Sequence, residues 1–84
     1  MEQSLLYVRE IISAHTESSP LGKSLYEKLA NKSYHTEEAF IRDLSEDESE
    51  YLNQVLKEAI DYSKQSQDDE RANQLNDVYE MLFV

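Results

Sequence analysis

The chain has 84 residues, with eighteen acids against eight bases, a formal net charge of −10 and a sequence pI near 4.4. That field repels phosphate backbones and anionic headgroups, which argues against general nucleic-acid or membrane-surface binding and favours a basic partner. With no cysteine, neither a disulfide nor a thiolate metal site holds the fold, and the length suits one domain, residues 1–84, with a single modest core.

At 39% hydrophobic residues the composition is not that of a disordered chain. No window approaches the ~18 apolar residues of a membrane span. Met1-Glu2-Gln3-Ser4 lacks the basic start and apolar run of a secretion signal, so a cytoplasmic protein is expected. The acids read first as solvated helix faces, and alternatively as an acidic recognition surface.

In chain order, Ser4 is expected to cap a first helix over residues 5–16, with Leu5, Val8, Ile12 and His15 on one stripe and Leu6 and Ile11 widening it. Ser19 followed by Pro20 is a specific helix start, because proline's missing N–H costs nothing at the first helical position. That second helix, residues 20–32, buries Leu21, Leu25 and Leu29, with Tyr26 beside them and Gly22 lowering its propensity. Thr36, Glu37 and Glu38 open a short third helix carrying Ala39, Phe40, Ile41 and Leu44. Ser45-Glu46-Asp47-Glu48 forms a capping box for the next helix, its acids favoured by the positive helix end. Residues 37–50 hold seven acids and one base, whereas the second helix carries Lys23, Lys28 and Lys32 against Glu27, so the two segments should attract each other.

Residues 51–84 contain no glycine or proline. Tyr51, Leu52, Val55, Leu56, Ala59, Ile60 and Tyr62 form one helical stripe, and Ala72, Leu75, Val78, Tyr79, Leu82 and Phe83 form another. At about 100° per residue, Leu75 lies roughly 140° round the axis from Leu52, so one straight helix would aim its stripes in different directions. The polar run Ser66-Gln67-Asp68-Asp69-Glu70 marks a break near residues 66–69. The expected fold is all-α: a compact bundle of four to five short helices ending in a C-terminal helical pair.

Candidate chemistry is sparse. His15 and His35 lack a zinc-binding spacing and read as a half-buried and a turn histidine, so no metal ligand is assigned. Asp43, Ser45 and Asp47 match the first odd positions of a calcium loop, but Glu48 stands where that loop needs glycine and Gln54 where it needs a bidentate glutamate. No catalytic residue and no cofactor site are assigned: there is no nucleophile elbow, and one glycine in the whole chain offers no phosphate loop. Six tyrosines suit either the edge of a small core or a protein interface. Tyr79, Met81, Leu82, Phe83 and Val84 place more apolar surface at the terminus than one helix face can hide. Either the last helix docks wholly into its own core, which is the reading favoured first, or part of this end meets another chain, in which case these five are the candidate partner-binding residues.

Two C-terminal segments carry a family resemblance: Tyr51-Leu52-Asn53-Gln54-Val55-Leu56-Lys57-Glu58-Ala59-Ile60-Asp61-Tyr62, and Gln67-Asp68-Asp69-Glu70-Arg71-Ala72-Asn73-Gln74-Leu75-Asn76-Asp77-Val78-Tyr79-Glu80-Met81-Leu82. With Glu37-Glu38-Ala39-Phe40-Ile41-Arg42-Asp43-Leu44 and Leu6-Tyr7-Val8-Arg9-Glu10, the chain resembles the CsgA family of sigma-G-dependent, sporulation-specific small acid-soluble spore proteins. Residues 13–28 match it least. The resemblance implies a spore-forming bacterium and production late in the forespore, and it brings no catalytic residue. It does not extend to the DNA-coating role of the main acid-soluble spore proteins, which are glycine-bearing and bind nucleic acid.

The resulting expectation is a non-enzymatic sporulation protein that acts by contact with a protein partner, or with itself, through its C-terminal helices. No nucleic acid, membrane or small-molecule substrate is expected. A small helical inhibitor of a kinase or sigma factor is the first alternative, with binding that weakens in salt. A passive spore component with no specific partner is the second.

Overall fold

The computed structural model describes residues 1–82. Helix α1 (Gln3–Ile12) runs on into a 3₁₀ turn at Ser13–His15, and is followed by α2 (Pro20–Asn31), α3 (Glu37–Arg42), α4 (Glu46–Gln65) and α5 (Asp69–Met81). Side-chain caps start four of these five helices. Ser19 accepts from the Leu21 and Gly22 N–H groups, Thr36 from Ala39, Ser45 from Glu48 and Asp68 from Arg71. Each cap satisfies a donor that the helix geometry leaves without an internal partner.

The first helix departs from expectation. It starts at Gln3 without a side-chain cap, and Ser4 lies buried in its first turn, its hydroxyl donating to Glu37 Oε2 on α3. A serine in this position reads locally as a cap, but here it makes a tertiary contact. The end of the expected helix tightens into the 3₁₀ turn, where His15 is half-buried and meets the Tyr51 ring edge-on at 6.2 Å.

The break between α4 and α5 is a Schellman turn. The Asp68 N–H donates to Ser63 O at 2.8 Å and the Gln67 N–H to Lys64 O at 3.1 Å, while Gln67 takes the left-handed φ of 60° that such a turn requires. The chain thereby reverses, and α5 returns along α4. This resolves the phase shift between the two apolar stripes: each faces the same core from its own helix.

That core joins Leu5, Val8 and Ile12 of α1 to Leu25 and Leu29 of α2, Phe40 of α3, Leu52, Val55, Leu56 and Ile60 of α4, and Leu75 and Val78 of α5. Burial of each large apolar side chain contributes roughly 1.5–3 kcal/mol before entropy is counted. α5 packs on α4, α1 and α3, and α2 packs on α1 and α4. The Cα radius of gyration of 11.7 Å is that of a compact body of this length.

Gly22 has a packing role beyond its propensity. It is buried against the 3₁₀ turn, where an added Cβ would run into the His15 carbonyl. The missing side chain is what lets α2 approach the end of α1.

Tyr62 corrects the expected α4 stripe. It lies within about 20° of Val55 around the helix axis, yet is 72% exposed. Near the end of α4 it overhangs an open groove of about 360 Å³ that Ile11, His15, Val55, Ala59 and Arg71 also line. Arg71 closes one edge of this groove. Its guanidinium lies 4.9 Å from the Tyr7 ring centroid, 3.5 Å from Glu10 and 3.4 Å from Asp68.

Candidate interaction surface

The α3 segment has two polar flanks with different construction. On one, the acidic and basic segments predicted to attract each other do so. Lys28 Nζ contacts Glu48 Oε1 at 2.7 Å and donates to the Asp43 carbonyl at 2.6 Å, while Lys32 Nζ meets Asp43 Oδ2 at 2.8 Å. Glu48 is only 4% exposed and is the hub of this corner. Its Oε1 also accepts from the Ser45 N–H at 2.8 Å, completing the capping box, and its Oε2 accepts from Ser24 Oγ at 2.6 Å.

Burial pushes the Glu48 carboxyl up, but the donors Lys28, Ser24 and the Ser45 N–H, with the Lys28 charge, overcome it and bring it down to about 2. Asp43 is also held below the usual carboxylate range, by hydrogen bonds from Lys32 and from Tyr34. The Tyr34 hydroxyl donates to Asp43 Oδ2 at 2.6 Å, and its ring sits edge-on to Phe40 at 5.3 Å. Burial first, then that hydrogen bond and the Asp43 and Glu48 charges, raise the Tyr34 phenol. These shifted groups face partners inside the fold, so their perturbation belongs to a structural corner.

The other flank is open. α3 lies against the end of α5, and two hollows share Met81 between them. One, about 400 Å³, is lined by Glu37, Asp77, Glu80 and Met81; the other, about 460 Å³, by Glu38, Ile41, Arg42 and Met81. Arg42 pairs with Glu38 one helical turn away, and Asn76 Nδ2 donates to Glu80 Oε1 at 2.8 Å. The result is a surface with an apolar floor and an acidic rim.

Of the residues proposed from sequence as partner-binding, Tyr79 and Leu82 pack half-buried against the core, while Met81 is half-buried and faces the hollows. Phe83 and Val84 lie outside the described residues. The contribution of α3, namely Glu37, Glu38, Ile41 and Arg42, was not legible beforehand, because no periodicity ties a six-residue helix to a segment forty residues away. Among the described residues, no three or more histidine, aspartate or glutamate side chains gather where they would hold a metal ion. No described helix is long and apolar enough to cross a membrane.

The chain matches the CsgA family, described as "Minor curli fiber component A", over residues 1–83. It belongs to the CsgA family. A relative from Bacillus subtilis (strain 168), the "Sigma-G-dependent sporulation-specific SASP protein", is 40% identical over 83 residues, covering 99% of this chain and 100% of the relative. No solved structure matches the chain. The family description speaks of a fibre and the relative's name of a spore. The described residues of this CsgA-family chain form helices joined by turns, with no strand among them, so a fibre of stacked strands would require these helices to unfold first.

Proposed function

We propose that this CsgA-family chain is a non-enzymatic sporulation protein of the forespore that acts by protein–protein contact at the end of its C-terminal helix. The sporulation assignment is carried over from the relative's name. The contact assignment rests on one observation: Met81 sits between two open hollows where α5 meets α3, beside a terminus rich in apolar residues. The non-enzymatic reading is supported by the corner around Glu48, where the perturbed carboxylates of Glu48 and Asp43 already meet lysine, serine and tyrosine donors of the fold.

A photo-crosslinking residue placed at Met81, with Asp61 on the far part of α4 as control, tests this in sporulating cells of the source organism. A discrete adduct at position 81 and none at position 61 is the expected result. Equal, diffuse labelling at both positions, or none at either, overturns the contact surface. Light scattering on the pure protein then says whether the adduct is a second copy. If it is, replacing Tyr79 and Phe83 together by alanine should lower the measured mass.

A further inference from the structure

We propose that the surface between α3 and the end of α5 takes a cationic amphipathic helix, seating one apolar side chain on Ile41 and Met81 with lysines or arginines toward Glu37, Glu38, Asp77 and Glu80. This deepens the contact reading above and rests on it. The argument is charge complementarity around an apolar floor. Among the described residues, four carboxylates and one guanidinium line the two hollows, and that guanidinium, on Arg42, is paired with Glu38. Lys28 of α2 and Lys32 just after it are on the other flank of α3, where they neutralise Glu48 and Asp43. The rim field is therefore left to an incoming ligand.

The same field ranks the occupants. A second copy has a net charge of −10 and would bring an identical acidic rim to the contact, and an anionic lipid or nucleic acid would be repelled outright. A helix with a basic face and an apolar anchor gains from both parts of the surface, since anchors at i, i+3 or i+4 fit a groove while flanking charges set orientation.

The test is a titration of the full chain, followed by backbone amide NMR, with a synthetic leucine/lysine amphipathic helical peptide. Two control peptides carry glutamate for lysine and serine for leucine. The leucine/lysine peptide should shift residues 37–42 and 77–81, and its affinity should fall about tenfold or more from low to high salt. Removing three rim charges (Glu38→Gln, Asp77→Asn, Glu80→Gln) should weaken it by roughly tenfold. Removing three exposed charges from the start of α4 (Glu46→Gln, Asp47→Asn, Glu50→Gln) makes the same change in net charge and should leave affinity within about twofold.

Equal losses in the two triple variants, binding indifferent to leucine, or shifts spread over the whole acidic surface would overturn the proposal. So would the absence of any shift. Binding of the glutamate peptide at residues 37–42 and 77–81 would overturn the cationic partner while leaving the contact surface in place. Concentration-dependent shifts there without peptide would do the same in favour of a second copy. Failure of the crosslinking at position 81 is a separate outcome, striking the contact surface in cells.

Discussion

At the corner between α2 and α4, Glu48 gathers Lys28, Ser24 and the Ser45 N–H inside the fold; at the end of α5, Asp77 and Glu80 line a hollow open to water. Both sites are built from carboxylates of one strongly acidic chain. They differ in what faces them. The first set meets the bases of α2 across a tertiary contact, so its charge is neutralised where it is also desolvated. Among the described residues, the second meets a rim whose one guanidinium, on Arg42, is paired with Glu38. Net charge is therefore a poor guide to where a field is available, and the placement of eight bases decides it.

The widest separation between the two regions should be in stability. Glu48→Ala leaves Lys28 and two other donors facing a vacated site and should cost about 3 kcal/mol, measured by urea unfolding. Glu80→Ala on the open rim should cost under ~0.5 kcal/mol. Comparable costs would mean that the two carboxylate groups do not differ in the way their geometry indicates.

Acid titration sharpens the same contrast. The Glu48 carboxyl is lowered in the folded state, so the stability it contributes is fully present above its ordinary value and is lost as pH falls through about 2. Asp43 is shifted in the same direction. The stability difference between the native chain and Glu48→Gln should therefore be flat above about pH 5 and shrink steadily toward pH 2. A Glu48 difference that stays constant down to pH 2 would contradict the charge-assisted corner.

Gly22→Ala comes next in size. Helix propensity favours alanine by up to about 1 kcal/mol, whereas the clash with the His15 carbonyl opposes it by roughly 1–3 kcal/mol. A net loss of about 1–2 kcal/mol in thermal or urea unfolding is expected. A gain would show that α2 can shift away from the 3₁₀ turn at little cost, with the Lys28–Glu48 corner moving with it.

What the sequence disclosed follows the range of the interactions. Caps at Ser19, Thr36 and Ser45, the polar break after Gln65, and the stripes of α4 and α5 are encoded within a few residues, so the all-α architecture was legible. Glu48 was readable as the far end of a capping box, but not as a buried hub, because Ser24 and Lys28 come from another helix. Ser4 misled for the same reason: its hydroxyl reaches α3 rather than its own helix. Tyr62 carries the right period, but whether a stripe is covered depends on where the neighbouring helices end. At the candidate surface, local pattern located Met81 on α5, while the half supplied by α3 depended on the packing of distant helices.

The smallest effect concerns the turn that decides which part of α5 reaches α3. Gln67 has φ of 60°, a conformation that costs an L side chain about 1–2 kcal/mol and glycine almost nothing. Glycine also gives the unfolded chain more freedom, which removes much of that advantage. Gln67→Gly should therefore stabilise by about 0.5 kcal/mol, a rise in Tm of roughly 2–4 °C, while Gln67→Val should destabilise because a β-branched side chain suits this region poorly. Opposite signs from the two substitutions would identify the left-handed turn as the joint between α4 and α5. Equal, negligible effects would mean that the joint is set elsewhere, and that the placement of Met81 beside Ile41 does not depend on it. Because the turn lies at the far end of α5, the stabilised variant should keep the amide spectrum of residues 37–42 unchanged.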